Sequence, residues 1–155
     1  AFAKRAQEAG VDGVLTVDLP PEESIEALPL FKAHELDTIF LLSPTTLPQR
    51  IAKIAAVSSG FLYYVSLKGI TGANSLDVDA VKARLSVIRE YTDLPLGVGF
   101  GIKDAATAAS VSQVADAVIV GSALIKIVQN QPDNHAMIVQ EIANLVADMR
   151  LAMDA

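Results

Sequence analysis

Short apolar runs alternate along the chain with longer stretches in which hydrophobic residues recur at every third or fourth position. The apolar runs predict five strands, at residues 11–17, 38–42, 61–65, 94–98 and 114–120. The stretches with helical spacing predict helices at residues 20–34, 47–57, 77–91, 103–111, 122–129 and 133–153. The chain therefore repeats a strand–helix unit five times, with one extra short helix before the last long one.

This alternation predicts an α/β fold with parallel strands, because crossovers of this length join parallel strands through right-handed connections. Two architectures fit: an open doubly wound sheet, or the last five βα units of a TIM (βα)8 barrel, forming one domain over residues 1–155. Residues 1–9 predict the end of a helix that Gly10 closes. A start inside a helix and an extra helix after the final strand favour the barrel. A full barrel needs about 250 residues, so roughly a hundred would lie upstream.

Two corners rich in glycine follow the fourth and fifth predicted strands. The first corner is residues 97–102, Gly-Val-Gly-Phe-Gly-Ile, and the second corner is the pair Gly121 and Ser122. Glycine lets the backbone approach a ligand closely, and free N–H groups at a helix start attract an anion. A simple tight turn explains either corner taken alone. Two equivalent corners in successive units favour a phosphate site after the last two strands of a barrel.

The loop at residues 66–76 is long for a connection between a strand and a helix. Gly69 and Gly72 give it hinge positions, so it is interpreted either as a lid over an active site or as an ordinary surface loop. Its length does not decide between the two. Within this loop, Thr71 is a candidate to orient a catalytic carboxylate through a hydrogen bond.

Four further side chains carry candidate chemistry. Asp18 ends the first predicted strand, where barrel catalysis occurs, and is a general base or, in the favoured interpretation, a helix-capping or partner-contacting residue. Tyr63, on the third strand, either reaches a substrate with its hydroxyl or belongs to the core. His34 and His135 lie away from the strand ends and are interpreted as structural residues, so no metal cluster is expected.

Composition narrows the classes of function. Of the 155 residues, 52% are hydrophobic and 19% charged, which suits parallel strands buried on both faces. A net charge of −6 and only 5% aromatic residues argue against nucleic-acid binding. The absence of cysteine excludes disulfides and thiolate chemistry, and it suits a cytoplasmic protein. No apolar run reaches the length of a transmembrane helix, so no membrane contact is expected.

Taken together, four stretches resemble the α subunit of tryptophan synthase. They are residues 12–20, 63–73, 97–102 and 120–126, and the resemblance extends over the whole chain. The most specific of them is residues 63–73, Tyr-Tyr-Val-Ser-Leu-Lys-Gly-Ile-Thr-Gly-Ala. The resemblance implies a (βα)8 barrel that takes part in tryptophan biosynthesis. Such a lyase splits indole-3-glycerol phosphate into indole and glyceraldehyde 3-phosphate by retro-aldol cleavage.

The resemblance also implies which residues would hold the substrate. The residues that would bind the substrate or its phosphate group are Leu15, Tyr63, Gly72, Gly99, Phe100, Gly101, Ile102, Gly121 and Ser122. Among them, Tyr63 and Leu15 would line the indole pocket, Phe100 would pack on the substrate, and backbone groups of the glycines and Ser122 would bind the phosphate. Thr71 would close with its loop onto a catalytic aspartate.

A partner subunit is a further implication of the resemblance. Asp18, Pro20 and Pro44, the last within a Ser-Pro-Thr loop, would lie towards the β subunit of an α2β2 heterotetramer. Pyridoxal phosphate is expected on that β subunit, and no cofactor or metal is expected on this chain.

The chain departs from the family pattern in one respect. The two catalytic carboxylates of the family, a general acid–base glutamate and an aspartate on the indole nitrogen, lie in the first barrel units, which these residues do not include. The chain alone is therefore expected to be inactive. Two other functions stay open: another phosphate-binding barrel, of the thiamin-phosphate synthase or phosphoribosylanthranilate isomerase type, and a half-barrel that binds phosphate without catalysis.

Overall fold

The computed structural model describes residues 1–66 and 77–155, which form short parallel strands alternating with helices. The elements in chain order are α1 Phe2–Glu8, β1 Gly13–Leu15, α2 Ala27–Ala33, β2 Asp37–Ile39, β3 Leu41–Leu42, α3 Pro48–Val57, β4 Leu62–Val65, α4 Val78–Arg89, β5 Leu96–Gly99, α5 Ala105–Ser112, β6 Ala117–Ile119, α6 Ser122–Asn130 and α7 His135–Met153. The five predicted strand–helix units and the extra short helix are confirmed.

Strand order separates the two candidate architectures. β1 pairs with β2, and β3, β4, β5 and β6 form a four-stranded sheet in chain order, with every pair parallel. A doubly wound sheet reverses its strand order at a switch point, whereas a barrel pairs each strand with the next one. The sequential order is therefore that of a barrel segment, and the doubly wound alternative is wrong.

The main core lies between the four-stranded sheet and the helices that cover it. Leu42, Leu62, Leu96 and Val98 point from the strands into this layer. The helices contribute Ile51, Ile54, Val81, Leu85, Ile88, Ala108, Val111 and Met149. The helical spacing predicted for residues 77–91 is thus confirmed, because the buried residues of α4, Val81, Leu85 and Ile88, lie three and four positions apart. Alternate strand residues face the other way, so Tyr63, Gly97 and Gly99 lie on the opposite side of the sheet.

Two helix ends form as the sequence predicts. Gly10 follows α1 with φ +79°, and the N–H groups of Gly10 and Val11 donate to the carbonyls of Gln7 and Ala6, respectively. Such paired bonds, closed by a left-handed glycine, satisfy carbonyls that the end of a helix leaves free. At the start of α4, the carboxylate of Asp77 accepts from the N–H of Ala80 at 3.0 Å. Both ends therefore lie within a residue or two of their predicted places.

The helix predicted from residue 20 begins instead at Ala27. A helix starting at Pro20 or Pro21 would carry Pro29 in its interior, where proline lacks the N–H and clashes with the preceding turn. In the structure Pro29 lies in the first turn of α2, where proline is tolerated. The buried Ser24 closes a separate turn, donating its hydroxyl to the carbonyl of Pro21 at 2.7 Å.

The strand predicted over residues 38–42 is divided at Phe40. Its first half, β2, pairs with β1, and its second half, β3, pairs with β4. The carbonyl of Phe40 still accepts a hydrogen bond from the N–H of Tyr63 at 3.0 Å. The segment therefore changes its partner at Phe40, which a hydrophobic pattern cannot reveal.

Asp116, immediately before β6, joins the beginning of β5 to the end of α4, and its removal is expected to lower stability. One of its carboxylate oxygens accepts from the N–H of Leu96 and from the Arg89 guanidinium, both at 2.8 Å. Partial burial raises the pKa of the Asp116 carboxyl, but these two partners outweigh it and hold the pKa below its usual value. Because the side chain is 41% exposed, we expect Asp116→Asn to cost only about 1 kcal/mol of unfolding free energy at neutral pH.

The pH dependence of stability checks this assignment. Since the folded pKa is the lower one, the contribution is present above the unfolded value of about 3.9 and is lost as pH falls through the folded pKa. Urea unfolding of Asp116→Asn and of the unmodified protein should therefore differ at pH 7 and converge at acid pH. The exposed Asp93 supplies a matched control, Asp93→Asn, which should change stability little. Equal stability of all three proteins at pH 7 would contradict the assignment.

Candidate functional site

The first glycine corner extends from the carboxyl end of β5 and has an unusual backbone. Phe100 has φ +72° and Gly101 has φ +81°, so two successive residues adopt the left-handed region. This conformation is uncommon for a phenylalanine and costs on the order of 1 kcal/mol or more. Ile102 is buried in the core and anchors the far side of the corner. The phenyl ring of Phe100 is half exposed, which leaves it accessible to a ligand.

Ser66, at the end of β4, holds this corner from the neighbouring strand. Its N–H donates to the carbonyl of Gly99 at 3.1 Å. Its hydroxyl lies 2.8 Å from the Gly99 carbonyl and 2.9 Å from the Phe100 carbonyl. Within the described parts of the chain, neither the Gly101 nor the Ile102 N–H donates a hydrogen bond. Among the described residues, the corner therefore presents two donors without an acceptor, while the Gly99 and Phe100 carbonyls are occupied.

Tyr63 lies directly against the same corner. A methyl group on Gly99 would lie 2.2 Å from the Tyr63 Oη, so only glycine fits beneath the ring. Burial raises the pKa of the Tyr63 hydroxyl, which keeps it protonated at neutral pH and able to donate. Leu15, at the end of β1, is 40% exposed on the same side of the strands as Gly13. Tyr63, which the sequence assigns either to the substrate or to the core, is therefore half buried beside the glycine corner.

The two glycine corners differ in how the N-terminus of the following helix is capped. α5 is capped by Asp104, whose carboxylate accepts from the N–H of Thr107 at 2.8 Å in a capping box. The backbone N–H and the hydroxyl of Thr107 lower the pKa of Asp104, so a negative charge already occupies this helix start. The free donors of the first corner therefore belong to its loop and not to α5.

The second corner leaves its helix start open. Gly121 precedes α6 and has no side chain to cap it, and the first turn of α6 contains no acidic residue. Gly121 and Ser122 are both exposed. Because β5 and β6 pair in parallel, with Gly99 opposite Ile119, the two corners extend from the same edge of the sheet. Loop donors and a helix start with positive partial charge thus lie at neighbouring strand ends, an arrangement suited to a phosphate.

Asp18 and Pro20 line a separate cavity of about 260 Å³, together with Phe40, Thr46 and Arg50. No residue of either glycine corner lines it. Arg50 forms an ion pair of 2.9 Å with Glu22. The Glu22 backbone N–H and then the Arg50 side chain lower the pKa of that carboxyl. The structure therefore places Asp18 and Pro20 at a cavity that neither glycine corner lines.

The remaining candidates lie away from the two glycine corners or outside the described residues. Pro44 lies in a turn that Ser43 and Thr46 close through hydrogen bonds. Thr71 and Gly72 lie outside the described residues, as does most of their loop. His34 contacts the Gln7 side chain through its Nδ1 at 2.9 Å on an exposed helix end, which agrees with a structural role.

Within the described ranges, no group of three or more potential metal ligands is present. The helices of residues 1–66 and 77–155 include none long and apolar enough to cross a membrane.

Sequence reasoning missed Ser66 and Arg50 as site residues. Ser66 is the first residue of a long loop, and its hydrogen bonds reach partners more than thirty positions away. Its place immediately after a strand, at the edge where barrels bind their ligands, was the available signal. Arg50 lies on a helix with ordinary spacing, and nothing in the sequence distinguishes it from a solvated cation.

Comparisons with known proteins agree with this geometry. The family model for the tryptophan synthase alpha chain matches residues 1–154. A tryptophan synthase alpha chain of Thiobacillus denitrificans is 53% identical over 154 residues, covering 99% of this chain and 56% of that protein. The alpha chain of Thioalkalivibrio sulfidiphilus is 57% identical, covering 99% of this chain and 58% of its own length. This chain therefore spans a little over half the length of these relatives.

Solved structures give the same result. Tryptophan synthase subunit alpha of Legionella pneumophila superposes with a TM-score of 0.85 at 41% identity, covering 99% of this chain and 56% of that one. A structure from the tryptophan synthase α2β2 complex of Pyrococcus furiosus superposes with a TM-score of 0.81 at 30% identity, covering 96% and 59%. Both the sequence and the backbone thus match one family along the whole chain.

Proposed function

Because the chain belongs to the tryptophan synthase alpha chain family, we propose that the protein is a lyase of tryptophan biosynthesis. Its reaction is the retro-aldol cleavage of indole-3-glycerol phosphate to indole and glyceraldehyde 3-phosphate. In this step the bond between indole C3 and the side chain breaks, C3 gains a proton, and the neighbouring hydroxyl loses one as it becomes an aldehyde. The proposed setting is the cytoplasm.

The observation that supports the proposal most is that backbone N–H donors lie at the ends of two neighbouring strands, β5 and β6. The N–H groups of Gly101 and Ile102, which have no acceptor among the described residues, and the start of α6 at Gly121 and Ser122 are proposed to donate to a phosphate dianion. Gly72 is proposed as a further backbone donor. An uncapped helix start attracts negative charge through its aligned dipoles, so these residues favour the phosphate end of the substrate.

The apolar end of the substrate is assigned to the other side chains at this edge. Phe100, half exposed at the corner, is proposed to pack on the substrate, and Gly99 leaves room for the Tyr63 ring. Tyr63 and Leu15 are proposed to line the indole pocket. Thr71 is proposed to close over it with its loop and to support a catalytic aspartate. Binding and orientation are thus the proposed contributions of these residues, and proton transfer is not among them.

The proton-transfer groups are proposed to lie outside these 155 residues, by analogy with the longer relatives. On this proposal the chain alone binds the phosphate end of the substrate and does not cleave it. The chain itself is proposed to carry no cofactor. A β subunit that carries pyridoxal phosphate is proposed to receive the indole. The surface proposed to face it includes Asp18 and Pro20 at the separate cavity, and Pro44, which lies two positions before the cavity residue Thr46.

Indole release tests the proposal directly. The protein expressed from its complete gene should release indole from indole-3-glycerol phosphate, and the isolated 155-residue chain should release none. Binding of glycerol 3-phosphate without indole release by the complete protein would instead support a non-catalytic phosphate-binding module. Cleavage by the isolated chain would show that the assignment of proton transfer to residues outside it is wrong.

A further inference from the structure

The hydroxyl of Ser66 contacts two consecutive carbonyls of the strained corner. These belong to Gly99 and Phe100, at 2.8 Å and 2.9 Å, and the Ser66 N–H adds a third contact to Gly99 at 3.1 Å. A serine hydroxyl has one proton, so this proton is shared between the two carbonyls or alternates between them. The contacts link the end of β4 to the only pair of successive left-handed residues in the described ranges.

These carbonyls determine where the free donor of the corner points. The Phe100 carbonyl and the Gly101 N–H belong to the same peptide unit, and every described peptide bond is trans. In a trans peptide the C=O and the N–H point in opposite directions within one plane. Fixing the Phe100 carbonyl towards Ser66 therefore fixes the Gly101 N–H in the direction away from Ser66.

The strain at Phe100 makes such a constraint necessary. A non-glycine residue at φ +72° relaxes towards the common regions unless surrounding contacts hold it. Ile102 is buried on one side of the corner, and Ser66 binds the carbonyls on the other. Without the hydroxyl, the peptide between Phe100 and Gly101 is free to rotate, and its N–H loses a defined direction.

We propose that Ser66 is a positioning residue for phosphate binding, which aims the Gly101 N–H by holding the Phe100 carbonyl. This inference rests on the proposed function, since it assigns the aimed donor to the substrate phosphate. Ser66 itself does not touch the substrate. Its effect is therefore expected on affinity for the phosphate group, with little effect on the bond-breaking step.

Three variants of the protein expressed from its complete gene test this role. Ser66→Ala removes the hydroxyl, and Ser66→Thr keeps it. Ser58→Ala is the matched control, because the Ser58 hydroxyl also donates to a backbone carbonyl, that of Ile54 at 2.7 Å, but precedes β4 at its opposite end. The measurements are KM and kcat for indole-3-glycerol phosphate, and calorimetric affinities for glycerol 3-phosphate and for indole.

The expected pattern is specific to a positioning role. Ser66→Ala should raise KM and weaken glycerol 3-phosphate binding by about fivefold to tenfold, as for one misdirected charge-assisted hydrogen bond. The value of kcat and the affinity for indole should change by less than about twofold, since neither depends on the phosphate donor. Ser66→Thr should restore affinity for glycerol 3-phosphate, and Ser58→Ala should leave it unchanged.

Three other outcomes are distinguishable from this pattern. If the unmodified protein binds glycerol 3-phosphate and Ser66→Ala binds it equally well, the positioning role is overturned and the proposed function stands. If the unmodified protein neither binds glycerol 3-phosphate nor releases indole, the proposed function fails and the role of Ser66 fails with it. A fall in thermal stability that Ser66→Thr does not reverse, with unchanged KM, would assign Ser66 a structural role alone.

Discussion

Replacing Gly99 with alanine is expected to destabilise the protein and to reduce its activity at the same time. The new methyl group would lie 2.2 Å from the Tyr63 Oη and 2.5 Å from its Cε2, which is far closer than atoms pack. Gly99 is buried within β5, so the Tyr63 ring must move. We expect the unfolding free energy to fall by about 1–3 kcal/mol, the usual cost of overpacking.

Gly97→Ala is the matched control for this effect. Gly97 lies on the same strand and the same face, but its added methyl would meet the flexible end of Ile119 at 2.9 Å and the edge of Phe61 at 3.3 Å. A terminal methyl moves by rotation, whereas the Tyr63 ring is held on β4 between paired strands. We therefore expect Gly97→Ala to cost less than about 1 kcal/mol.

The activity of Gly99→Ala should fall with the displacement of Tyr63. If Tyr63 lines the indole pocket as proposed, kcat/KM for indole-3-glycerol phosphate should drop by at least about tenfold, mostly through KM. Urea unfolding and steady-state kinetics on the same preparations measure both effects. Equal stability of the Gly97 and Gly99 variants would contradict the packing argument. A displaced Tyr63 with unchanged KM would remove it from the proposed pocket.

Local patterns predicted the parts of the fold that depend on local energetics. The helical spacing of α4 and the glycine that closes α1 both follow from neighbours within four or five residues. The five-unit order also followed from periodicity, because parallel strands buried on both faces differ from helices in length and spacing. The resemblance to one family then identified the correct barrel.

The sequence did not reveal the features that depend on partners distant in the chain. The change of strand partner at Phe40 depends on where β1 and β4 lie. The role of Ser66 depends on carbonyls more than thirty positions away. The late start of α2 is different, because Pro29 was visible in the sequence and its clash with an interior position follows from local rules.

The difference between the two glycine corners also required the structure. As sequences, both corners place glycine between an apolar run and a helix, and they predict equal anion sites. In the structure Asp104 already caps α5, whereas α6 begins without a carboxylate. The start of α6, at Gly121 and Ser122, is therefore expected to attract a phosphate more strongly than the start of α5.

Replacing Ser122 with aspartate is expected to move stability and phosphate binding in opposite directions. Ser122 is the first residue of α6, whose first turn contains no acid, so a carboxylate there should stabilise the helix by about 0.3–1 kcal/mol. The same charge would stand where the phosphate is proposed to bind. Unit charges about 4 Å apart near a protein surface repel by roughly 4 kcal/mol. Allowing for exposure, we expect glycerol 3-phosphate affinity to fall about 100-fold.

Two control variants show whether the added charge at position 122 causes the loss of phosphate affinity. Ser122→Ala removes the hydroxyl without adding charge and should weaken binding by only about fivefold, the effect of one lost hydrogen bond. Gln49→Asp places a carboxylate in the first turn of α3, which likewise has no acidic residue and no capping side chain. It should stabilise the protein to a similar degree in thermal melts and leave glycerol 3-phosphate affinity unchanged. If Ser122→Asp binds glycerol 3-phosphate as tightly as the unmodified protein does, the start of α6 does not hold the phosphate.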